Sequence, residues 1–352
     1  MATVMETEYA AGFECVVIGA GLIGLSIALE LHHRDIQVLI LERDRAYQQA
    51  SAAAAGMLAV VDIHNPPALH PLSRLSESLY PAFLERIRTL SGHDLSFQTE
   101  ATIHHLDDGR IEHLHEWSVD PRQLGAALLA AIQAKGIALR ETAEVIDIIT
   151  APSGLEIHLR SGETIAAKNV ILATGARAVP ESLRRREDLI ALDAVKPLKG
   201  QMLRVAMPPA FAGHNEVHRR GACYAVPRAH GPNAGTVVLG TTVEDTGFET
   251  TVDPQSLAAL RARVAELVPA FAEEQAAPAL ESWAGLRPMT RDGLPILDES
   301  SHPGLYFAFG HGRNGIQLAP ATAHVLADLV QRKQPSIDLA AFTHQRFAAV
   351  AR

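Results

Sequence analysis

The 352-residue chain has few cysteines, few aromatic residues and a shortage of positive charge. Its two cysteines, Cys15 and Cys223, exclude a disulfide framework and favour a reducing compartment. Lysine and arginine number 31 against 40 acidic residues, and this net charge of −9 argues against nucleic acid as a partner. The most apolar stretch, residues 15–29, is short for a membrane span of ~20 residues. Residues 1–8 are acidic, unlike a secretory signal, so we expect a cytoplasmic protein with no membrane partner.

The rest of the composition is that of a folded protein. Apolar residues make up 47 % of the chain and charged residues 20 %. This apolar content excludes disorder as the main state. At about 150 residues per domain, the length allows two domains.

The first chemical motif lies between a predicted strand, residues 15–18, and a predicted helix that runs to about His33. It reads Gly19-Ala20-Gly21-Leu22-Ile23-Gly24. In such a pattern the first glycine allows a tight turn, the second lets a pyrophosphate approach, and the third lets helix and strand pack closely. A second predicted strand, residues 37–41, ends at Glu42, where a carboxylate can hold a ribose hydroxyl. This β-α-β unit predicts a dinucleotide site on a parallel sheet.

Periodicity and turn residues predict the other elements. Asp120-Pro121 and Asp253-Pro254 each supply an N-cap and a first-turn proline. We expect Pro81 to kink or split the helix that contains it. The predicted helices cover residues 72–90, 121–135, 254–267 and 316–330. A predicted strand ends at residues 170–172, just before Ala173-Thr174-Gly175. Further predicted strands cover residues 222–226, 236–241 and 305–309, and we expect 222–226 and 236–241 to be antiparallel.

Five stretches together resemble the D-amino acid oxidase-like family of FAD-dependent oxidoreductases, and within it the glycine oxidases of bacterial thiamine biosynthesis. The resemblance covers nearly the whole chain, and the last three stretches are its most specific motifs. They are Val17-Ile18-Gly19-Ala20-Gly21-Leu22-Ile23-Gly24, Ala50-Ser51-Ala52-Ala53-Ala54-Ala55-Gly56-Met57-Leu58, Cys223-Tyr224-Ala225-Val226-Pro227-Arg228, Trp283-Ala284-Gly285-Leu286-Arg287-Pro288 and Gly310-His311-Gly312-Arg313-Asn314-Gly315.

The resemblance implies an α/β fold, with a Rossmann-like FAD-binding domain and a smaller α+β substrate domain on an antiparallel sheet. The implied FAD-binding domain is discontinuous, over residues 12–58, 116–195 and 284–352, and the substrate domain takes residues 59–115 and 196–283. It further implies non-covalent FAD, oxidation of glycine or a small amine acid to the imine, and reduction of O2 to H2O2. The imine would supply thiazole formation, with thiazole synthase as a functional partner. Family members are often homo-oligomers.

The resemblance places Arg287 on the substrate carboxylate, with Tyr224 as a second ligand and Arg313 near the carboxylate or the flavin. A guanidinium suits this role because its planar fork can make two parallel bonds to a carboxylate. One departure is Ala222, where many glycine oxidases have a histidine, and this weakens the case for glycine itself. Met202 is either close to the pocket or a core residue.

The segment 310–315 is a second G-x-G-x-x-G. We do not interpret it as a second nucleotide site, because no strand and acid follow its helix. A close approach to the flavin, with the helix N-terminus near the pyrimidine end and His311 near the ring, is the better interpretation. The cofactor-binding positions implied are Gly19, Ala20, Gly21, Leu22, Ile23, Gly24, Glu42, Arg43, Ser51, Ala54, Ala55, Gly56, Met57, Ala173, Thr174, Gly175, His311, Gly312, Arg313, Asn314, Gly315 and Ile316. The small residues around Ser51 also suit the start of a helix.

Several alternatives remain open. The substrate could be sarcosine, D-proline or a D-amino acid. The volume of the pocket decides which of these fits, and the sequence does not determine that volume. A flavin module acting on modified tRNA is disfavoured by the net charge, and a non-catalytic FAD-binding redox sensor is disfavoured by the pair Arg287 and Tyr224. The histidines at 104–105 and 113–115 lack metal-ligand spacing, so we expect no metal site. We expect Cys223 to be buried and inert rather than a pocket thiol.

Overall fold

A computed structural model describes residues 12–152, 154–176 and 194–350. The acidic N-terminal residues 1–8, residue 153 and parts of the implied FAD-binding segments (177–193 and 351–352) lie outside the described residues. The helices are α1 (Leu22–His33), α2 (Ala50–Ala53), α3 (His70–Ser91), α4 (Pro121–Ala134), α5 (Pro254–Leu267) and α6 (Gly315–Val330). The strands are β1 (Phe13–Ile18), β2 (Val38–Leu41), β3 (Ala101–His105), β4 (Ile111–Leu114), β5 (Ala138–Arg140), β6 (Val145–Ala151), β7 (Gly154–Leu159), β8 (Thr164–Leu172), β9 (Lys196–Ala206), β10 (Glu216–Arg220), β11 (Cys223–Arg228), β12 (Thr236–Gly240), β13 (Ala279–Met289), β14 (Ile296–Glu299) and β15 (Leu305–Phe309).

The first sheet is built around the predicted β-α-β unit. Its strand order is β14-β15-β8-β1-β2-β5, with β6 and β7 joined to it through β8. The pairs β5–β2, β2–β1, β1–β8 and β8–β15 are parallel. Cys15, Val16 and Val17 of the central strand β1 have no exposed surface. Because both faces of such a strand are covered, its apolar residues form a continuous run rather than an alternating one.

The second sheet has the order β13-β9-β12-β11-β10-β3-β4. Its pairs are antiparallel except for β10 with β3. α5 begins after its predicted N-cap, Asp253, and buries Leu260 and Val264 against Val237 and Leu239 of the sheet. The two sheets together confirm the predicted α/β class with a second, antiparallel sheet.

α3 corrects one of the two outcomes expected at Pro81, the split, because it passes through this proline as one helix of 22 residues. Proline removes a backbone N–H from the helix ladder. Pro81 lies on the exposed side, while Tyr80, Phe83, Leu84 and Ile87 are buried on the other side. The packing of this apolar face outweighs the local cost, so the helix is not split.

The chain alternates between the two sheets, as the implied domain division requires. β3 and β4 fall in the segment 59–115, and β9 to β12 fall in the segment 196–283. β13 runs as one strand across the boundary implied at residues 283 and 284, so the boundaries stay a prediction. None of the helices in the described ranges combines the length and apolar character that crossing a membrane requires.

Candidate active site

A cavity of about 1400 Å³ lies between the two sheets. On one side it is bordered by Ile18, Leu41, Ala173 and Phe309, at the carboxyl ends of β1, β2, β8 and β15. On the other side it is bordered by residues of β9, β11 and β13. Ligands of open α/β sheets bind outside the carboxyl ends of the strands, and small-molecule pockets usually measure ~300–1,000 Å³. This cavity can therefore hold a dinucleotide together with a smaller ligand.

The three glycines of the first motif have different surroundings. Gly19 has a φ of +107°, and an added Cβ would lie 2.5 Å from the Ala173 carbonyl oxygen. At Gly24 an added Cβ would lie 1.9 Å from the Gly19 carbonyl oxygen, so this glycine lets α1 pack on β1. At Gly21 a Cβ would meet only the Ser51 hydroxyl, at 3.4 Å. Since Gly21 borders the cavity, the gap above it fits a pyrophosphate at the N-terminus of α1.

Glu42 lies at the end of β2 and borders the cavity. Its carboxylate accepts hydrogen bonds from the backbone N–H groups of Ala20, at 2.8 Å, and Asp44, at 3.0 Å. These bonds hold the carboxylate where the resemblance expects a ribose hydroxyl. Arg43 borders the cavity as well, and its guanidinium pairs with Asp44 at 3.1 Å.

The run of small residues that begins with α2 has a packing reason. A Cβ on Gly285 would lie 2.5 Å from the Ala53 Cβ, and the Trp283 indole donates to the Ala53 carbonyl oxygen at 3.0 Å. The Ser51 hydroxyl accepts from the Leu22 N–H at 3.0 Å. α2 therefore packs between the dinucleotide turn and β13. The segment is both a helix start and part of the cavity wall.

Arg287 and Tyr224 border the same cavity from β13 and β11. Glycines make room for both side chains. A Cβ on Gly200 would lie 2.2 Å from the Arg287 Nη2, and a Cβ on Gly240 would lie 2.2 Å from the Tyr224 ring. The Arg287 Nη2 donates to the Thr241 hydroxyl at 2.7 Å. The structure thus brings together the two residues expected to bind the carboxylate, although this role stays a prediction.

The charge of Arg287 has no carboxylate partner among the described residues. Its other hydrogen bonds are long, at 3.5 Å to the carbonyl oxygens of Lys199 and Thr242. Burial lowers the pKa of Arg287, and the nearby charge of Arg313 adds to this. Burial raises the pKa of Tyr224, against the opposing effect of Arg287, so the phenol stays protonated and can donate. A partly buried cation beside a neutral donor suits an anionic ligand.

The second glycine segment, residues 310–315, leads into α6 and is hydrogen-bonded to β13. Gly312 has a φ of +57°, and its N–H donates to the Pro288 carbonyl oxygen at 2.9 Å. The first turn of α6 borders the cavity from Gly315. The His311 imidazole is buried, and its Nε2 lies 3.0 Å from the Thr322 hydroxyl. Burial lowers the pKa of His311 to about 3, so this ring is neutral.

Arg313 has an ion-pair partner that sequence reasoning missed. Its Nη2 lies 2.9 Å from Asp62 Oδ1, and Asp62 Oδ2 accepts from Arg219 at 2.8 Å. Arg219 also contacts Glu116 at 3.3 Å. Asp62, Arg219 and Glu116 are 8 %, 4 % and 6 % exposed. Asp62 and Arg219 are 157 positions apart, and no local pattern in the sequence relates them.

Apart from Ala20 and Gly24, which are buried behind the turn, every predicted site residue borders the cavity. Met202 also does so and is 4 % exposed in a cluster with Tyr224, so both interpretations of it hold. Cys223 is half-buried and not among the described residues that border the cavity, so the expectation of a buried thiol was wrong. Within the described ranges, no three His, Cys, Asp or Glu residues are grouped to hold a metal ion.

Comparison with known proteins gives consistent matches. Residues 14–118 and 98–329 match the family described as FAD dependent oxidoreductase (DAO). A glycine oxidase from Geobacillus kaustophilus (strain HTA426) is 32 % identical, over 95 % of this chain and 97 % of its own. A bifunctional protein ThiO/ThiG from Synechocystis sp. is 30 % identical, over 95 % of this chain and 54 % of its own. The crystal structure of glycine oxidase from Geobacillus kaustophilus gives a TM-score of 0.85 at 30 % identity and covers 95 % of this chain and 98 % of that chain.

These matches confirm the predicted family, cofactor and enzyme class. The nearly complete coverage of this chain and of the two glycine oxidase matches means that the likeness includes both sheets. The chain belongs to the DAO family of FAD-dependent oxidoreductases and is an amine or amino-acid oxidoreductase that is similar to glycine oxidases and uses FAD.

Proposed function

We propose that the protein oxidises glycine, or a closely related small amine acid, to the imine, with reduction of O2 to H2O2. The observation that carries this proposal is the Arg287 guanidinium, which borders the cavity without a carboxylate partner among the described residues. A guanidinium can make two parallel hydrogen bonds to one carboxylate. Tyr224 adds a neutral donor beside it. The pair fits the carboxylate end of an amino acid.

The chain contributes position rather than a reactive group. When bound, FAD supplies the acceptor for the hydride that leaves the carbon beside the amine. Arg287 and Tyr224 would hold the carboxylate and so place the neighbouring carbon. Such positioning can contribute several orders of magnitude to the rate. The substrate amine must be uncharged, because its lone pair assists hydride departure, and the proposal needs no side-chain base.

The residues at the other end of the cavity fit FAD. The gap above Gly21 would take the pyrophosphate, and Glu42 would hold a ribose hydroxyl. The helix that begins at Gly315 would direct its N-terminus toward the flavin. Non-covalent binding is supported by the cysteines, because neither Cys15 nor Cys223 is among the described residues that border the cavity.

The setting we propose is thiamine biosynthesis. The relative named as a bifunctional ThiO/ThiG protein supports it. Glycine imine would then supply thiazole formation, with thiazole synthase as the functional partner. We place the protein in the cytoplasm as a homo-oligomer, and we retain the two-domain division given above.

Ala222 favours a second candidate within the same reaction class. It borders the cavity and offers only a methyl group where many glycine oxidases have a histidine. The space beside it suits a larger or N-substituted substrate, such as sarcosine, D-proline or D-alanine. A redox sensor without catalysis is disfavoured, because such a protein has no use for the unpaired Arg287.

The test is anaerobic mixing of the purified holoprotein with glycine while the visible flavin absorbance is followed. Bleaching, followed by H2O2 formation when air is admitted, supports glycine oxidation. If glycine leaves the flavin oxidised but sarcosine, D-proline or D-alanine bleaches it, the assignment moves to the second candidate. A flavin that none of the four bleaches contradicts the proposed reaction class.

A further inference from the structure

Thr241 is a hydroxyl residue that lies beside the two proposed carboxylate ligands, Arg287 and Tyr224. It directly follows β12, borders the cavity and is 6 % exposed. Its Oγ1 accepts from the Arg287 Nη2 at 2.7 Å. Gly240, the residue before it, pairs with Tyr224 across β12 and β11, and an added Cβ there would lie 2.3 Å from the Tyr224 hydroxyl. Burial raises the pKa of Tyr224, and the nearby Thr241 side chain opposes this rise. Thr241 therefore binds Arg287 directly and lies beside Tyr224.

This contact dominates the surroundings of the Arg287 guanidinium. The next hydrogen bonds of Arg287, to backbone carbonyl oxygens, are 3.5 Å long, at the limit for such a bond. Gly200 and Gly240 provide space around Arg287 and Tyr224 but no side-chain contact. Without the Thr241 hydroxyl, the guanidinium would keep only weak contacts to fix its direction.

The Thr241 hydroxyl itself is held from the backbone. The Thr241 N–H donates to the Ala222 carbonyl oxygen at 2.9 Å, which fixes the residue beside β11. The hydroxyl proton can reach the Gln201 and Thr242 carbonyl oxygens, at 3.3 and 3.2 Å. Both distances exceed the ~2.7–2.8 Å of a typical O–H···O bond. The hydroxyl can therefore donate weakly to the backbone while its oxygen accepts the shorter bond from Arg287.

We propose that Thr241 is a positioning residue, whose hydroxyl holds the Arg287 guanidinium beside Tyr224 in the direction of the substrate carboxylate. The proposal rests on the proposed function, because it assumes that these two side chains bind that carboxylate. The proposal also bears on Ala222, which has no polar side chain to offer the cavity. The backbone of Thr241 is hydrogen-bonded to Ala222, and Thr241 places a hydroxyl in the same part of the cavity wall.

The test compares Thr241→Val, which keeps the shape and removes the hydroxyl, with Thr241→Ser, which restores it. In the holoprotein, KM for glycine and the Kd for glycolate, which has the carboxylate but no amine, should each rise about tenfold in Thr241→Val. kcat should change far less, because Thr241 does not contact the reacting atoms. Thr241→Ser should return both constants to near the wild-type values. Glycolate binding is followed as a change in flavin absorbance and needs no turnover.

The matched control is Thr236→Val, at the other end of β12, where the hydroxyl donates to the Asn233 carbonyl oxygen at 2.7 Å. It should leave KM and Kd unchanged. Wild-type constants in Thr241→Val, or an equal rise in Thr236→Val, would overturn the positioning role. If Thr241→Val does not fold, Thr241→Ala takes its place. A glycolate Kd that Arg287→Ala leaves unchanged would instead reject the proposed function, whatever the Thr241 variants do.

Discussion

Backbone atoms form much of the cavity wall at the dinucleotide turn, whereas side chains form it around Arg287. At the turn, Gly19 and Gly24 let neighbouring backbone segments pack closely, and Gly21 leaves the gap that the proposed pyrophosphate would fill. Around Arg287, the guanidinium donates to a hydroxyl from the residue that follows another strand, β12. The proposed cofactor end therefore depends on the shape of one short segment. The proposed substrate end depends on charges and hydrogen bonds assembled from several segments.

The largest effect should come from filling the turn. Gly21 has φ −77° and ψ −178°, which any residue can adopt, and an added Cβ has room. Gly21→Val should therefore fold and yet lose FAD, because its side chain occupies the pyrophosphate gap. The purified variant should be colourless, with a melting temperature near that of the wild-type apoprotein. A yellow variant would place the phosphate site elsewhere.

The control for this substitution is Gly24→Ala. Its Cβ would lie 1.9 Å from the Gly19 carbonyl oxygen, so helix and strand would have to separate. This variant should lower the melting temperature of the apoprotein, which Gly21→Val should not do. The pair separates the glycine that leaves room for the ligand from the glycine that leaves room for the helix. Equal melting temperatures for the two variants would contradict this division.

The next effect should come from Arg287. Arg287→Ala should keep FAD and lower kcat/KM for the proposed substrate by roughly two to four orders of magnitude, since two charge-assisted bonds contribute ~1.5–3 kcal/mol each. Arg287→Lys should recover little, because an ammonium lacks the planar fork. Arg313→Ala should lower kcat/KM less than Arg287→Ala does, since Asp62 already pairs with Arg313. Steady-state kinetics beside the flavin content of each variant provide the measurement, and loss of flavin in Arg287→Ala would contradict the assignment.

The sequence predicted these two ends unequally well, for a physical reason. The turn, its helix and Glu42 lie within 24 consecutive residues, and their spacing alone indicates a dinucleotide. Arg287 and Tyr224 came from a resemblance, because no local spacing relates them. Thr241 and the pair Asp62–Arg219 were missed, since each gains its meaning from a partner far along the chain. Long-range pairing leaves no periodic signal.

Pro81 shows the same limit in the fold. The local rule for proline allows a kink or a break, and the break does not occur: α3 is one helix, whose apolar face packs on the core. The N-caps Asp120 and Asp253 were predicted correctly, because each acts on the two or three residues that follow it. Sequence rules for helix ends therefore hold when the interacting residues are neighbours in the chain. They fail when packing against distant residues determines whether a helix continues.

Asp62 tests whether the substrate wall is held by charge. Its carboxylate lies between Arg219 and Arg313, and these arginines keep its pKa low although burial opposes them. Asp62→Asn should destabilise the fold by ~3–5 kcal/mol, because it leaves a buried guanidinium with one partner fewer. Asp108→Asn is the matched control, since its ion pair with Arg110 is exposed and should contribute far less to stability. Urea unfolding measures both, and equal losses would reject a special role for the buried carboxylate.

The smallest effect should come from His311, which lies beside the cofactor end and is 3 % exposed. Its pKa is about 3 in the folded protein, and an unfolded histidine has a pKa of ~6.5. Below pH ~6.5 the unfolded chain takes up a proton that the folded chain refuses, so stability falls as the pH falls toward 3. Between pH 7 and pH 5 this loss should be about 2 kcal/mol. His311→Gln can keep a hydrogen bond to Thr322 without titrating, and urea unfolding at the two pH values should show a loss smaller by that amount. An equal loss in the wild type and the variant would mean that the imidazole can be protonated in the folded protein, and that the cofactor end, like the substrate end, carries a charge.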